Sequence, residues 1–156
     1  MTNPARRPAA GTAPDTRDIV AEDFFAHPPE KVWKALTTAE IIGRWLMPND
    51  FEAVVGRHFT FTTRPKGDWD GVVRCEVLEV VPHRRLVYSW RGGSDAGNPA
   101  PLDSTVTWTL QPEGNGTRLR MVHAGFRSPQ NDFAYDAMSP GWRHLIGRLG
   151  EIVAAL

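Results

Sequence analysis

Hydrophobic and polar side chains alternate along most of the segment between Gly56 and Phe126. Aromatic and aliphatic residues occupy one set of alternating positions, and threonine, serine and arginine occupy much of the other. A period of two residues places each set on one face of a pleated sheet. The apolar set includes Phe59, Phe61, Leu86, Tyr88, Trp90, Val106, Trp108, Leu110, Leu119, Met121 and His123.

Seven strands are predicted, at about residues 18–25, 51–54, 57–63, 71–81, 84–90, 104–111 and 117–123. The first alternates poorly and is predicted from its β-prone residues Ile19, Val20, Phe24 and Phe25. In the fourth strand, strict alternation would turn Glu79 inward, so we expect a bulge near Leu78. The run Glu113-Gly114-Asn115-Gly116 predicts a tight hairpin between the last two strands. Two loops are expected, at residues 92–102 and 126–135.

Helical spacing of apolar residues occurs in three places. Pro28 and Pro29 are placed to open a short helix that ends near Leu36. Thr38 is a candidate N-cap of a second short helix, which Pro48 stops.

The last helix is predicted to be long and amphipathic, from about Pro140 to Leu156, with Ser139 as its N-cap. Its apolar stripe has to bury against something, and the aromatic sheet face is the only large apolar partner. The predicted fold is therefore α+β, a curved antiparallel sheet with two short helices, wrapped around a long C-terminal helix. The stripe consists of Trp142, Leu145, Ile146, Leu149, Ile152, Val153 and Leu156.

Length and composition narrow the class of protein. At 156 residues with 41% hydrophobic content, we expect one domain over residues 18–156 after a flexible tail at residues 1–17. Zero formal net charge argues against binding to nucleic acid or to an anionic membrane surface. No apolar run approaches the ~20 residues of a membrane span, and no signal peptide is recognisable, so a cytoplasmic location is expected.

Several short motifs, in this order and spacing, resemble the START-like, helix-grip superfamily often labelled SRPBCC, which includes birch-pollen-allergen-like proteins. Within it, residues 18–156 are most similar to bacterial homologues of the activator of the ninety-kilodalton heat-shock protein's ATPase. The resemblance implies the helix-grip fold and a hollow between sheet and helix, but no single activity. The motifs are Pro28-Pro29-Glu30-Lys31-Val32-Trp33, Trp45, Gly56-Arg57-His58-Phe59, Gly71, Glu76-Val77-Leu78-Glu79-Val80-Val81-Pro82, Arg85-Leu86-Val87-Tyr88-Ser89-Trp90, Thr105-Val106-Thr107-Trp108, Gly116-Thr117-Arg118-Leu119 and Gly141-Trp142.

Catalytic and metal motifs are not recognisable. The five histidines match neither H-E-x-x-H nor H-x-E spacing, so we expect no metal and no cofactor. Cys75, the only cysteine, reads as a small core residue. His123 lies near the end of an inward-facing row, with no serine, cysteine or carboxylate that is clearly its partner. It is either a core histidine or a polar group that orients a ligand.

The aromatic residues carry two interpretations, a packed core or the lining of a ligand cavity. Under the second, the chain binds a small hydrophobic molecule, lipid-like or aromatic. One alternative is an enzyme of the polyketide cyclase/aromatase type that uses His123 and Tyr88 in the same cavity; another is a co-chaperone that stimulates a heat-shock ATPase. A homodimer is neither required nor excluded, and Trp69 is either an exposed contact or a lid residue. The predicted lining comprises Trp45, Phe59, Phe61, Tyr88, Trp90, Trp108, His123, Phe126, Trp142 and Ile146.

Overall fold

The structure, a computed structural model, describes residues 16–65, 70–92 and 102–156. The predicted tail up to residue 15, Trp69 and most of the 92–102 loop lie outside the described residues. Six strands and three helices follow one another along the chain: β1 (Thr16–Phe25), α1 (Pro29–Thr37), α2 (Ala39–Trp45), β2 (His58–Thr62), β3 (Val72–Val81), β4 (Arg85–Gly92), β5 (Leu102–Glu113), β6 (Gly116–Arg127) and α3 (Asp132–Ala155).

The six strands form one antiparallel sheet in the order β1-β6-β5-β4-β3-β2. β2 to β6 therefore form a meander, and β1 pairs with β6, the last strand of the chain. One face of the sheet packs on α3 and on the two short helices, and the aromatic residues lie between them. The predicted α+β architecture is confirmed.

Local irregularities of the sheet follow from its sequence. The register between β3 and β4 shifts between Val77 and Glu79, which confirms the bulge expected near Leu78. The β5–β6 hairpin closes between Glu113 and Gly116, as predicted, with Gly114 at a positive φ of 57°. A glycine at this position meets no steric penalty from a Cβ.

The strand predicted at residues 51–54 is wrong. The only sheet contact in this part of the chain is an isolated bridge between Asn49 and Phe61. Within the predicted strand, the Phe51 N–H donates to the Asn49 side chain and the Val54 N–H donates to the carbonyl of Glu52, so these backbone bonds are made locally. Such side-chain bonds give the backbone an alternative to a strand ladder.

The two short helices lie close to their predicted bounds. Pro28 precedes α1, and the ring of Pro29 occupies its first turn. Thr38 is the N-cap residue of α2 by position, but its side chain makes no capping hydrogen bond. Trp45 ends α2, and its indole N–H donates to the carbonyl of Ala35 at 3.0 Å, which fixes α2 against α1.

α3 begins at Asp132, two turns before the predicted Pro140, and β6 runs on to Arg127, so most of the loop predicted at residues 126–135 is also wrong. Ser139 is inside the helix, where its hydroxyl donates to the carbonyl of Tyr135, and does not cap it. These two turns have tertiary contacts that the local pattern does not show: Arg17 pairs with Asp132, and the ring of Tyr135 packs on Phe126. No helix within the described ranges is long and apolar enough to cross a membrane.

Candidate functional site

The structure brings the ten predicted lining residues together on the inner side of the sheet. All ten are buried, the most exposed at 4%. They come from β2, β4, β5, β6, α2 and α3, because alternation aims one face of each strand at the helices. These residues are Trp45, Phe59, Phe61, Tyr88, Trp90, Trp108, His123, Phe126, Trp142 and Ile146.

The aromatic rings of this group form a continuous set of contacts. The ring centroid of Trp108 lies 5.8 Å from that of Trp45 and 5.7 Å from that of Trp142. The ring centroid of Trp90 lies 5.6 Å from Trp142 and 5.3 Å from Phe61. Edge-to-face and tilted pairs at these separations each add about 0.5–1.5 kcal/mol to the burial of the rings. The rings therefore hold the interior together as one unit.

Tyr88 places a hydroxyl group in the middle of this apolar interior. The indole N–H of Trp108 donates to the Tyr88 hydroxyl oxygen at 2.9 Å. Among the described residues none accepts the Tyr88 O–H, although the side chain is buried. Burial raises the pKa of Tyr88, against the smaller opposing effect of the Trp108 bond, so the phenol is neutral and can donate.

His123 is the second polar group of the interior, and both of its ring nitrogens have protein partners. The indole N–H of Trp142 lies 3.0 Å from Nδ1. The hydroxyl oxygen of Ser104 lies 2.7 Å from Nε2, and the Ser104 hydroxyl also donates to the backbone carbonyl of Trp90 at 2.8 Å. An indole N–H can only donate, so Nδ1 is the acceptor and Nε2 carries the proton. The four groups thus form one directional chain of hydrogen bonds.

This chain determines what the imidazole can do chemically. With Nδ1 accepting from Trp142 and Nε2 donating to Ser104, His123 has no free lone pair with which to take a proton from Ser104 or from a substrate. Burial also lowers the pKa of His123 to about 3, which keeps the ring neutral. The geometry favours a structural role for the His123 imidazole, which is not placed to act as the base that the enzyme hypothesis assigned to it.

Sequence reasoning missed Ser104 as the partner of His123, and the expectation that no serine is clearly placed to meet it is corrected. β5 and β6 pair Val106 with His123, which puts Ser104 on the same face and one diagonal step away. Extending the alternation of Val106 and Trp108 two residues upstream would have turned Ser104 inward. The pairing register between the two strands was the information that the sequence did not supply.

Two recesses of the described surface lie away from the ten interior residues. One, of about 870 Å³, is open, and the other measures about 240 Å³. None of the ten predicted residues lines either of them. The ten side chains thus pack on one another, and a ligand-sized hollow among them stays a prediction. The first recess is lined by His58, Arg74, Cys75, Glu76, Leu78, Ser89, Arg91, Gly92, Leu102, Asp103 and Arg127, and the second by Glu22, Thr109, Gln111, Arg118 and Arg120.

Comparison of the sequence with protein families matches residues 26–154 to the family described as Activator of Hsp90 ATPase homolog 1-like protein. The chain belongs to this family. The match covers all the elements from α1 to nearly the end of α3, and therefore every residue of the interior group. Comparison with curated proteins gave no match.

Solved structures agree with this membership of the Activator of Hsp90 ATPase homolog 1-like family. Protein MLL2253 from Mesorhizobium loti is 41% identical, covers 89% of this chain and 98% of its own, and superimposes with a TM-score of 0.80. Protein BH1534 from Bacillus halodurans is 31% identical, with coverages of 88% and 96% and a TM-score of 0.70. The Aha1 dimer from Colwellia psychrerythraea is 18% identical, with coverages of 88% and 96% and a TM-score of 0.71, and shows the shared fold alone.

Neither Cys75 nor a cluster of metal-binding side chains forms a second site among the described residues. Burial raises the pKa of the Cys75 thiol, with a smaller contribution from Asp50, so the thiol is protonated and a poor nucleophile. Within the described ranges, no group of three or more histidine, cysteine, aspartate or glutamate side chains is placed to hold a metal ion.

Proposed function

We propose that this domain binds a small hydrophobic molecule between the sheet and α3, among the ten interior residues. The observation that carries the proposal is the Tyr88 hydroxyl, which is buried, accepts from Trp108 and donates to no described residue. A buried donor without an acceptor costs about 1–3 kcal/mol, so such groups call for a partner. An oxygen atom of a bound ligand would supply the acceptor.

The charge of the interior limits the class of ligand. Four polar side chains are buried among the described residues: Ser104, Thr117, His123 and Asn131. None of them is charged, since His123 is neutral. A charged group transferred into such surroundings would remain unpaired, at a large cost in free energy. The proposed ligand is therefore uncharged and carries one hydrogen-bond acceptor.

Binding has to displace side chains, because the rings pack on one another in the structure. A ligand inserted between Trp90, Trp108 and Trp142 would replace ring contacts between tryptophans with contacts to the ligand. Pockets for small molecules are lined mainly by such apolar and aromatic side chains with a few polar groups, which matches the composition of this interior.

Tryptophan fluorescence titrations with three related probes test the proposal. Benzophenone carries one carbonyl acceptor, diphenylmethane has nearly the same shape without it, and 4-benzoylbenzoate adds a charge. We expect benzophenone to bind best and 4-benzoylbenzoate worst. Tyr88→Phe should weaken benzophenone binding about three- to tenfold and leave diphenylmethane unchanged. Thr107→Val, which removes a hydroxyl from the face of β5 opposite Val106 and Trp108, is the matched control and should leave both affinities unchanged.

Three other outcomes of these titrations would each contradict a different part of the proposal. Failure of all three probes to change the fluorescence would overturn the proposal of an interior ligand site. Equal loss of benzophenone and diphenylmethane in Tyr88→Phe would assign Tyr88 a packing role only. Stimulation of a heat-shock ATPase by a domain that binds no probe would favour the activity named in the family's description.

A homodimer stays a prediction for this chain. The neighbour from Colwellia psychrerythraea is described as a dimer, and β1 here is an edge strand with Val20 45% exposed. Sedimentation of the intact chain over a range of concentrations distinguishes a monomer from a dimer.

A further inference from the structure

α3 has two parts that meet at Pro140. Proline has no N–H for the bond to the carbonyl four residues earlier, here Asp136, and its ring crowds that carbonyl. The hydroxyl of Ser139 donates to the carbonyl of Tyr135, a bond that often accompanies bending of a helix. Gly141 follows, and the space where its side chain would be is empty. The helix is weakened at this point, and we call residues 132–139 the leading segment.

The two parts bury very different amounts of surface. The part after Pro140 buries four large side chains completely: Trp142, Ile146, Leu149 and Val153. The leading segment buries none of its side chains completely: Phe133 is 62% exposed, and Ala134, Tyr135 and Met138 pack against the core while only partly buried. Segments with few buried apolar contacts open at low free-energy cost, whereas the core of an element opens only with the whole fold. The leading segment can therefore open while the rest of α3 stays docked.

The leading segment covers one end of the aromatic interior. The ring of Tyr135 lies 5.5 Å from Phe126, centroid to centroid, and Phe126 lies 4.6 Å from His123. Phe126 is only 1% exposed. Displacement of Tyr135 would uncover Phe126, and beyond it the group of rings around His123.

One side chain of β1 holds the leading segment down. Arg17 forms an ion pair of 2.8 Å with Asp132, and its guanidinium lies 3.9 Å from the centre of the Tyr135 ring. The Tyr135 hydroxyl reaches the carbonyl of Asp18 at 3.4 Å. The side chains of Arg17 and Asp132 are each 42% exposed, so the ion pair is screened by salt and is easily broken. We call Arg17, Asp132 and Tyr135 the latch.

We infer that the leading segment is a lid over the His123 end of the interior, hinged at Pro140 and Gly141 and held closed by the latch. The inference rests on the proposed function, because it describes how an uncharged hydrophobic molecule reaches the rings. Closure by a surface ion pair and one stacked guanidinium suits a lid, since both contacts can break and re-form without disturbing the core.

Amide hydrogen exchange tests the lid without any ligand. In the unmodified chain, amides of residues 132–139 should exchange faster than those of residues 142–153. Arg17→Ala should speed exchange in the leading segment about three- to tenfold and leave residues 142–153 unchanged. Arg120→Ala is the matched control, because Arg120 also pairs with a carboxylate of β1, that of Glu22, but lies on β6. Uniform protection along α3, or equal acceleration of both parts, would overturn the lid.

Stopped-flow binding of benzophenone separates the lid from the ligand site. Arg17→Ala should raise the association and dissociation rates by similar factors and leave the dissociation constant nearly unchanged. Equal rates in Arg17→Ala and the unmodified chain would overturn the gating role even if the segment opens. Absence of binding in both would reject the proposed function, while the exchange experiment would still decide whether the segment opens.

Discussion

The indole N–H of Trp142 donates to Nδ1 of His123, and this contact fixes the tautomer of the imidazole. Nε2 therefore carries the proton and donates a hydrogen bond to the Ser104 hydroxyl oxygen. The Ser104 hydroxyl in turn donates to the carbonyl of Trp90. Both ring nitrogens of His123 are thus satisfied by residues of β5 and α3. The chain ties the sheet to the helix at the end of the interior that the leading segment covers.

The buried imidazole predicts acid sensitivity. Burial lowers the folded-state pKa of His123 to about 3, against about 6.5 for an exposed histidine, so the unfolded chain takes up a proton first as pH falls. The stabilising contribution of the neutral ring is complete above about pH 6.5 and is lost as pH falls toward 3. The free energy of unfolding from urea titrations should therefore fall by up to about 1.4 kcal/mol per pH unit below pH 6.

His123→Gln is the control for this pH dependence. Glutamine offers an NH2 donor and a carbonyl acceptor but does not titrate. The variant should lose the extra slope between pH 6 and 5, where few carboxylates yet take up protons. Identical slopes in the two proteins would show that His123 is not the group responsible.

Removal of the Ser104 hydroxyl should destabilise the fold. Ser104→Ala leaves the Nε2 proton of His123 without an acceptor in a buried site, at a cost of about 1–3 kcal/mol. Ser139→Ala removes a half-buried hydroxyl that bonds within α3 and should change stability by less than about 0.5 kcal/mol. Chemical denaturation of both variants gives the comparison. Equal losses of unfolding free energy in the two variants would show that the Ser104–His123 bond contributes no more to stability than the Ser139 bond does.

The bond between Tyr88 and Trp108 should appear as a coupling energy. A double-mutant cycle of Tyr88→Phe and Trp108→Phe separates the hydrogen bond from the volume lost at each site. We expect a coupling of about 0.5–1.5 kcal/mol in the free energy of unfolding, because the bond is buried at both ends. Additive effects would indicate that each side chain finds another partner when the first is removed.

A methyl group at Gly116 should be poorly tolerated. Its Cβ would meet the backbone carbonyl oxygen of Phe25 and the ring of Phe24, so β1 and β6 would have to separate. We expect Gly116→Ala to cost about 1–3 kcal/mol, measured by thermal or urea unfolding. Gly147→Ala, in α3 with no atom within 4 Å of the added carbon, should instead stabilise by up to about 1 kcal/mol. The reverse ranking would contradict the close approach of the two strands.

Much of the sheet could be predicted because alternation is a local property of the sequence. The inner positions of β2, β4, β5 and β6, the bulge at Leu78 and the Gly114 turn all follow from residues close together along the chain. Six of the ten interior residues follow from this alternation, whereas Trp45, Trp142 and Ile146 lie on helices and Phe126 falls in the segment predicted to be a loop. Their contacts with one another depend on strand order and register, which no single segment specifies.

The errors have tertiary causes. Pro140 is a good first residue of a helix, yet α3 begins at Asp132, because Arg17 and Phe126 hold the preceding turns in place. The sequence before Gly56 resembles a strand, but the Phe51 N–H donates to the Asn49 side chain and the Val54 N–H donates to the carbonyl of Glu52. Each outcome depends on a contact between residues that lie far apart in the sequence or on a side chain that competes with the backbone.

The position of β1 has a consequence for the order in which the protein acquires its structure. β1 is the first strand to leave the ribosome, but its neighbour in the sheet is β6, the last. The hairpins from β2 to β6 can form as they are synthesised, whereas β1 and the hydrophobic Phe25 have to wait until nearly the whole chain exists. β1 therefore lacks its partner strand until synthesis is nearly complete. We expect chaperones that bind unfolded chains to raise the yield of folded protein without changing its free energy of unfolding.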